Sequence, residues 1–82
     1  QVSYNPKGQL QEILQEQENN SKIVYRLTKE EGPPHKKRFE VDLILGKNTV
    51  GTGKGRSKKE AEEEAATKAL LILQNTAKVD PV

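Results

Sequence analysis

The spacing of hydrophobic residues changes from a period of about 3.6 to a period of 2 and back, which predicts a helix, three strands and a second helix. The first helix begins at Asn5-Pro6, since Asn is a good N-cap and Pro suits the first helical position, and it extends to about Gln17. Its apolar face consists of Leu10, Ile13 and Leu14. We therefore expect a short amphipathic helix with one buried side.

The segment after this helix predicts a first strand and a loop. From Lys22 onward every second position is apolar, and these residues would share one face of a strand: Ile23, Tyr25 and Leu27. Residues 31–35 (EGPPH) contain a glycine and two prolines, which do not continue a strand. We expect this segment to be a loop.

A second, clearer strand follows the loop and leads through a tight turn into a third strand. Its alternating apolar residues are Phe39, Val41, Leu43 and Leu45. The turn is Gly46-Lys47-Asn48, and the third strand extends from Thr49 to about Lys54. Gly51 and Gly53 weaken this strand, so we expect either an edge position or the close approach of another backbone.

A second helix is predicted from Ser57 to about Asn75. Ser57 and Glu60 have capping-box spacing, in which Ser57 caps the helix and Glu60 reaches back to the Ser57 amide. The apolar face is rich in alanine, which permits close packing: Ala61, Ala65, Ala66, Ala69, Leu70 and Leu73. The predicted fold is α+β, in the order α-β-β-β-α, with both helices on one face of a three-stranded antiparallel sheet. We expect residues 1–4 to be a linker end and residues 76–82 a frayed tail.

Composition narrows the classes of function. A chain of 82 residues with 32% apolar residues makes one domain with a small core. It contains no cysteine, which excludes disulfides, thiolate catalysis and cysteine-based zinc sites and favours a cytoplasmic location. One histidine excludes a multi-histidine metal site, and no apolar stretch approaches the roughly 20 residues of a membrane span. Because the chain begins at Gln1 rather than Met, we expect a fragment of a longer protein.

Positive charge is concentrated in the middle of the chain. The net charge is only +2, but residues 32–59 carry eight cations and two acids. Residues 1–31 and 60–82 are both net negative. A polyanion is the natural partner of such a band, and a solvated lysine-rich surface is the alternative.

Neither nucleotide binding nor catalysis fits the glycine-rich and acidic segments. A phosphate-binding loop needs Ser or Thr after its Gly-Lys, whereas Gly53-Lys54 is followed by Gly55. A dinucleotide-binding GxGxxG opens a helix after a parallel strand, whereas GxGxG here follows a hairpin strand. Glu60, Glu63 and Glu64 share one side of the second helix and could bind a cation, but an acidic first turn also suits the helix dipole. We expect this chain to have no catalytic residues, metal or small-molecule cofactor.

Two separated motifs resemble the double-stranded-RNA-binding domain. GPPHKKRF has G-P-x-H followed after three residues by an aromatic, and GTGKGRSKKEAEEEAA has G-x-G-x-S-K-K-x-A and a double alanine. The resemblance covers about residues 5–75 with all five elements in order. The opening NPKGQLQEILQ resembles the start of this domain in bacterial ribonuclease III, although Gly8 stands where Thr or Ser is common. Glu62, at a position where the general family often has a third lysine, is also typical of the ribonuclease III type.

The resemblance implies that the chain binds duplex RNA by shape, across two minor grooves and the phosphates between them. The implied RNA-binding residues lie on the first helix, in the loop and at the start of the second helix: Gln11 and Glu12; Pro34, His35 and Lys36; and Lys54, Arg56, Lys58 and Lys59. The implied parent is a ribonuclease III, a homodimeric endoribonuclease of RNA and rRNA processing with Mg²⁺ in a separate nuclease domain. This chain would then bind RNA without cleaving it or contacting a membrane.

Several alternatives stay open at this level. Gln11 and Glu12 could be ordinary surface residues, and His35 could support the loop through its own hydrogen bonds. Lys36, Lys37 and Arg38 cannot all face one ligand if they continue into a strand. Phe39 is expected in the core rather than as a stacking platform. The rival function is a protein-interaction version of the same fold, in which the first helix and the sheet mediate dimerisation.

Overall fold

A computed structural model describes residues 5–16 and 22–78 and confirms the predicted order of elements. They are helix α1 (Pro6–Glu16), strands β1 (Ile23–Glu31), β2 (Arg38–Leu45) and β3 (Asn48–Gly55), and helix α2 (Lys58–Lys78). Helix α2 continues past the predicted end at Asn75, so the frayed tail expected from residue 76 begins inside a helix. The linker end predicted at residues 1–4 lies outside the described residues, as do residues 79–82 of the predicted tail.

The three strands form one antiparallel sheet in the order β1-β2-β3. The register of β1 against β2 shifts between Leu27 and Lys29, so that Thr28 is an extra residue in β1 with no Cα partner on β2. Because side chains alternate along a strand, an inserted residue moves every later side chain to the other face. Glu30, which pairs with Phe39, is therefore on the same side of the sheet as the helices.

The core lies between the two helices and the sheet. Its buried residues come from α1, β2 and α2: Leu10, Leu14, Val41, Leu43, Ala61, Ala65, Ala66, Ala69 and Leu70. Leu27 is 39% exposed, and Phe39 is only half-buried although it continues the apolar face of β2. The core is thus densest around Leu43 and thins towards the β1–β2 loop, so Phe39 is a border residue rather than a fully buried one.

The glycines of β3 allow its backbone to lie directly on that of α2. A Cβ atom added at Gly53 would lie 2.1 Å from the carbonyl oxygen of Ala61, and one at Gly51 would lie 2.5 Å from that of Ala65. Both distances are too short for any side chain to fit. The GxGxG segment is therefore a packing surface, which confirms the predicted edge position and the close approach of another backbone.

Both helices begin at the predicted capping residues. The Asn5 side-chain oxygen accepts the amide N–H of Gly8 at 3.3 Å, and the Ser57 hydroxyl accepts that of Glu60 at 3.1 Å. The reciprocal half of the predicted capping box is wrong, because the Glu60 carboxylate accepts the N–H of Arg56 at 3.0 Å and not that of Ser57. The paired part of β3 ends at Gly55, so the amide of Arg56 has no partner in the sheet ladder and takes this carboxylate instead.

Removing the N-cap of α2 should lower stability without changing the fold. We expect Ser57→Ala to decrease the free energy of unfolding by about 1 kcal/mol, the usual contribution of a Ser N-cap. Urea denaturation measures this difference. Ser57→Asp is the matched control, because Asp is also a good N-cap and keeps an acceptor at the same place. If both variants lost equal stability, the hydroxyl–amide bond would not be the reason.

Candidate nucleic-acid interface

All nine residues predicted to bind RNA are exposed. They are Gln11 and Glu12 on α1, Pro34, His35 and Lys36 in the β1–β2 loop, Lys54 at the end of β3, Arg56 in the β3–α2 connection, and Lys58 and Lys59 in the first turn of α2. Their exposure makes them available to a ligand. Whether they form one surface depends on how the loop and the two helices are joined.

The β1–β2 loop is a tight turn that projects beside the start of α2. The amide of Lys36 donates to the carbonyl of Pro33 at 2.9 Å, and Gly32 has a φ of 98°, which favours glycine. A surface hollow between the loop and the β3–α2 connection is lined by Pro34, His35, Lys36, Lys37, Arg38 and Arg56. The structure thus brings the loop residues together with Arg56.

The base of the loop is held by an ion pair that the sequence did not indicate. Lys37 donates to the carboxylate of Glu30 across the two ends of the loop. The hydrogen bond from Lys37 holds the pKa of Glu30 below its ordinary value, the charges of Lys37 and Lys58 acting in the same direction. Lys58 is therefore close to the loop base. Of the three consecutive cations 36–38, Lys37 is the one that pairs with an acid among residues 5–16 and 22–78.

Helix α1 also adjoins α2, one turn after Lys58. Lys7 forms an ion pair with Glu62, and its Nζ atom lies 4.9 Å from the centre of the Tyr25 ring. Burial, and secondly the negative charge of Glu62, raise the pKa of Tyr25. Lys58 precedes Glu62 by one turn on the same side of α2, so the start of α2 adjoins the loop base near Lys58 and α1 at Glu62. The start of α2 therefore links the other two predicted places.

Lys54 is the predicted residue that the structure separates from this side. Gly53 and Gly55 face α2, so alternation places the side chain of Lys54 on the sheet face that points away from the helices. There its Nζ atom lies 3.9 Å from the carboxylate of Glu40 on β2. Its backbone amide donates to Glu64 of α2 at 2.6 Å. Lys54 thus helps to join β3 to α2 through its amide, whereas its side chain lies apart from Lys58 and Lys59.

The acidic residues of α2 act within the domain. The carboxylate of Glu64 accepts the amide of Lys54 in β3, that of Glu60 accepts the amide of Arg56 just after β3, and Glu62 pairs with Lys7. Residues 5–16 and 22–78 contain no group of three or more Asp, Glu or His side chains able to hold a metal ion. The cation site considered for Glu60, Glu63 and Glu64 is therefore not supported. In the same described ranges, no helix has the length and apolar character that crossing a membrane requires.

Comparison with known proteins agrees with this fold. The family model described as "Double-stranded RNA binding motif" matches residues 6–73. Ribonuclease 3 of Carboxydothermus hydrogenoformans is 47% identical over 79 residues, which are 96% of this chain and 33% of that protein. Ribonuclease 3 of Shouchella clausii is 51% identical over 67 residues, which are 82% of this chain and 25% of that protein.

A solved structure shows the same fold. The structure of Dicer from Pichia stipitis is similar to this chain with a TM-score of 0.66 and 30% sequence identity, over 85% of this chain and 34% of that one. The chain thus spans about a quarter to a third of the length of the two Ribonuclease 3 relatives and of the Dicer chain. The similarity concerns one domain of larger proteins.

Proposed function

Because this chain belongs to the double-stranded RNA binding motif family, we propose that α1, the β1–β2 loop and the first turn of α2 form one surface that binds duplex RNA by its shape. The observation that carries the proposal is that the start of α2 adjoins both other parts: Arg56 lines one hollow with the loop, and Glu62 pairs with Lys7 of α1. A domain of this type spans about 16 base pairs and contacts two successive minor grooves and the phosphates between them. A cationic helix start that adjoins both α1 and the loop suits that pattern.

Each part of the surface has a chemical role in the proposal. Gln11 and Glu12 would enter one minor groove, where an amide and a carboxylate can hydrogen-bond to 2′-hydroxyls and base edges. Pro34 and His35 at the loop tip would enter the next minor groove. Lys58 and Lys59 would meet phosphates across the intervening major groove, aided by the positive end of the helix dipole. Lys36 and Arg56 would contact phosphates at the loop side, and Lys54 contributes least because its side chain points away.

We further propose that the chain is the substrate-binding domain of a ribonuclease III. Relatives named Ribonuclease 3 support this at 47% and 51% identity. In such a parent, cleavage would take place in a separate nuclease domain that holds Mg²⁺ and forms a homodimer in the cytoplasm. The present chain would supply affinity for the duplex, and its own residues would take no part in breaking the phosphodiester bond.

Electrophoretic titration with RNA and DNA duplexes of equal sequence and length tests the proposal. At two salt concentrations, we expect the RNA duplex to bind more tightly than the DNA duplex. Both affinities should fall as salt rises, because phosphate contacts release counterions. Equal affinity for the two duplexes would leave only a nonspecific basic patch. Absence of binding to either would favour a protein-interaction role.

The preference for RNA should depend on α1. We expect Gln11→Ala/Glu12→Ala to weaken binding of the RNA duplex by about tenfold, the equivalent of one or two hydrogen bonds. Binding of the DNA duplex should change little, since B-form DNA lacks the 2′-hydroxyls that these side chains would contact. Parallel titrations of the variant with both duplexes measure the ratio of RNA affinity to DNA affinity.

The chain offers a matched control one turn later on the same helix. Gln15→Ala/Glu16→Ala removes the same residue types from exposed positions near the end of α1. We expect it to leave the ratio of RNA to DNA affinity unchanged. A loss of RNA preference in the control equal to that in the test variant would contradict a specific role for Gln11 and Glu12.

A further inference from the structure

Lys7 occupies a junction of three elements that the proposed RNA contacts do not explain. It projects from the first turn of α1 and pairs with Glu62 on α2. The same ammonium group lies 4.9 Å from the centre of the Tyr25 ring on β1. A cation placed over an aromatic face and beside a carboxylate is attracted by both. One side chain thus joins α1 to α2 and to the sheet.

The junction lies close to two parts of the proposed RNA surface, one on α1 and one at the start of α2. Residues four apart on a helix are neighbours on its surface. Gln11 follows Lys7 by four residues, and Lys58 precedes Glu62 by four residues. The pair therefore lies one turn from the proposed minor-groove contact of α1 and one turn from the proposed phosphate contact of α2. Any movement of α1 at its first turn changes the spacing between these two contacts.

Burial in the core and the junction together restrain the first turn of α1, because Pro6 next to Lys7 is itself buried. The buried side chains Leu10 and Leu14 hold the middle and end of α1 in the core, together with the alanines of α2. Burial of apolar side chains is not directional, so it keeps a helix on the core without fixing its orientation there. A charge-assisted hydrogen bond has a defined geometry and also restrains the orientation. The side chains of Lys7 and Glu62 are 36% and 27% exposed, so the pair lies at the border of the core, where solvent weakens it only partly.

We infer that Lys7, Glu62 and Tyr25 are positioning residues that set the spacing between α1 and the start of α2, and thereby the fit of the domain to an A-form duplex. This inference rests on the proposed function. The ligand is the same RNA duplex, and none of the three residues needs to contact it. If the junction is loosened, binding that requires the α1 contact and the α2 contact at the same time becomes weaker. The nonspecific attraction of Lys58 and Lys59 to phosphates persists.

The test uses Lys7→Met and Glu62→Gln, which remove one charge each and keep similar side-chain volumes. We expect each variant to bind the RNA duplex about fivefold more weakly, as is usual for coupled contacts worth about 1 kcal/mol. The double variant should be no weaker than either single variant, because both changes break the same pair. Affinity for the DNA duplex should stay unchanged in all three.

Two controls match the charge changes. Lys68→Met removes a lysine of α2 that pairs only loosely with Glu64, at 3.7 Å, and Glu16→Gln removes an exposed carboxylate at the end of α1. Both should leave the RNA affinity unchanged. Thermal melting followed by circular dichroism identifies the temperature range in which every variant is folded, and the titrations are made within it. A reduced affinity then reports positioning and not unfolding.

Two outcomes would overturn the positioning role of Lys7 and Glu62. If Lys7 itself contacted a phosphate, Lys7→Met would weaken binding and lower the salt dependence, while Glu62→Gln would free Lys7 and tighten binding. That outcome overturns a positioning role. Wild-type affinity for RNA in both single variants overturns it as well. Failure of the wild-type chain to prefer RNA over DNA would instead refute the proposed function, so the two failures are distinguishable.

Discussion

Replacing Lys58 and Lys59 together by alanine should weaken binding to any RNA duplex by about a hundredfold, since each charge-assisted contact contributes about 1.5 kcal/mol. The dependence of affinity on salt should flatten by about one unit of slope for each lysine lost. Both effects should be independent of RNA sequence, because phosphates carry none. Titrations at several salt concentrations measure the affinity and the slope together.

The same double variant should not destabilise the domain. Both side chains are exposed in the first turn of a helix, where the dipole disfavours positive charge. That end of α2 is instead stabilised by the Ser57 hydroxyl on the amide of Glu60 and by the Glu60 carboxylate on the amide of Arg56. The two lysines are therefore unnecessary for folding, and their removal separates binding from stability.

Net charge is controlled by removing two other lysines. Lys47 lies in the β2–β3 turn, at the opposite end of the sheet from the β1–β2 loop, and Lys68 lies further along α2. Lys47→Ala/Lys68→Ala changes the charge by the same amount as the test variant. We expect it to reduce RNA affinity only slightly. Equal losses in the two double variants would mean that overall charge, and not the start of α2, determines binding.

Replacing Gly53 by alanine should be the most damaging small change to the fold. Its added Cβ would meet the carbonyl oxygen of Ala61 at 2.1 Å and the amide nitrogen of Ala65 at 2.3 Å. Both are backbone atoms of α2, so relief requires the helix and β3 to move apart. We expect the free energy of unfolding to fall by about 3 kcal/mol, the upper end for overpacking a core. That loss is a large part of the stability of a small domain. Urea denaturation measures it.

Two other substitutions on β3 serve as comparisons for the stability loss of Gly53→Ala. Gly51→Ala meets one close backbone atom, the carbonyl oxygen of Ala65 at 2.5 Å, so we expect a smaller loss than at Gly53. Thr49→Ala changes an exposed residue of the same edge strand and should cost less still. Equal losses at all three positions would show that strand propensity, rather than contact with α2, determines the requirement for glycine.

Much of the domain follows from local sequence rules. The alternation of apolar residues predicted β2, and Asn5 and Ser57 predicted the starts of both helices. The glycines of β3 predicted an edge position or the close approach of another backbone, and the alanines of α2 predicted close packing on a partner that the sequence did not identify. Each of these depends on residues near one another in the chain, for which periodicity and capping are sufficient physical reasons. The band of cations in residues 32–59 likewise indicated a polyanionic partner before any contact was known.

The remaining features depend on contacts that only the folded chain creates. A single register shift at Thr28 places Glu30 on the helix side, where it meets Lys37 and approaches Lys58. Alternation along β3 turns the side chain of Lys54 away from the cations that lie beside it in sequence. Lys7 and Glu62 are 55 residues apart and carry no mutual sequence signal, yet they join α1 to α2. Periodicity and capping in the sequence suffice to predict the elements, and the distribution of charge suffices to predict a polyanionic partner. Which charges stay exposed and which form ion pairs within the domain follows only from the fold, because that depends on how the faces of its elements meet.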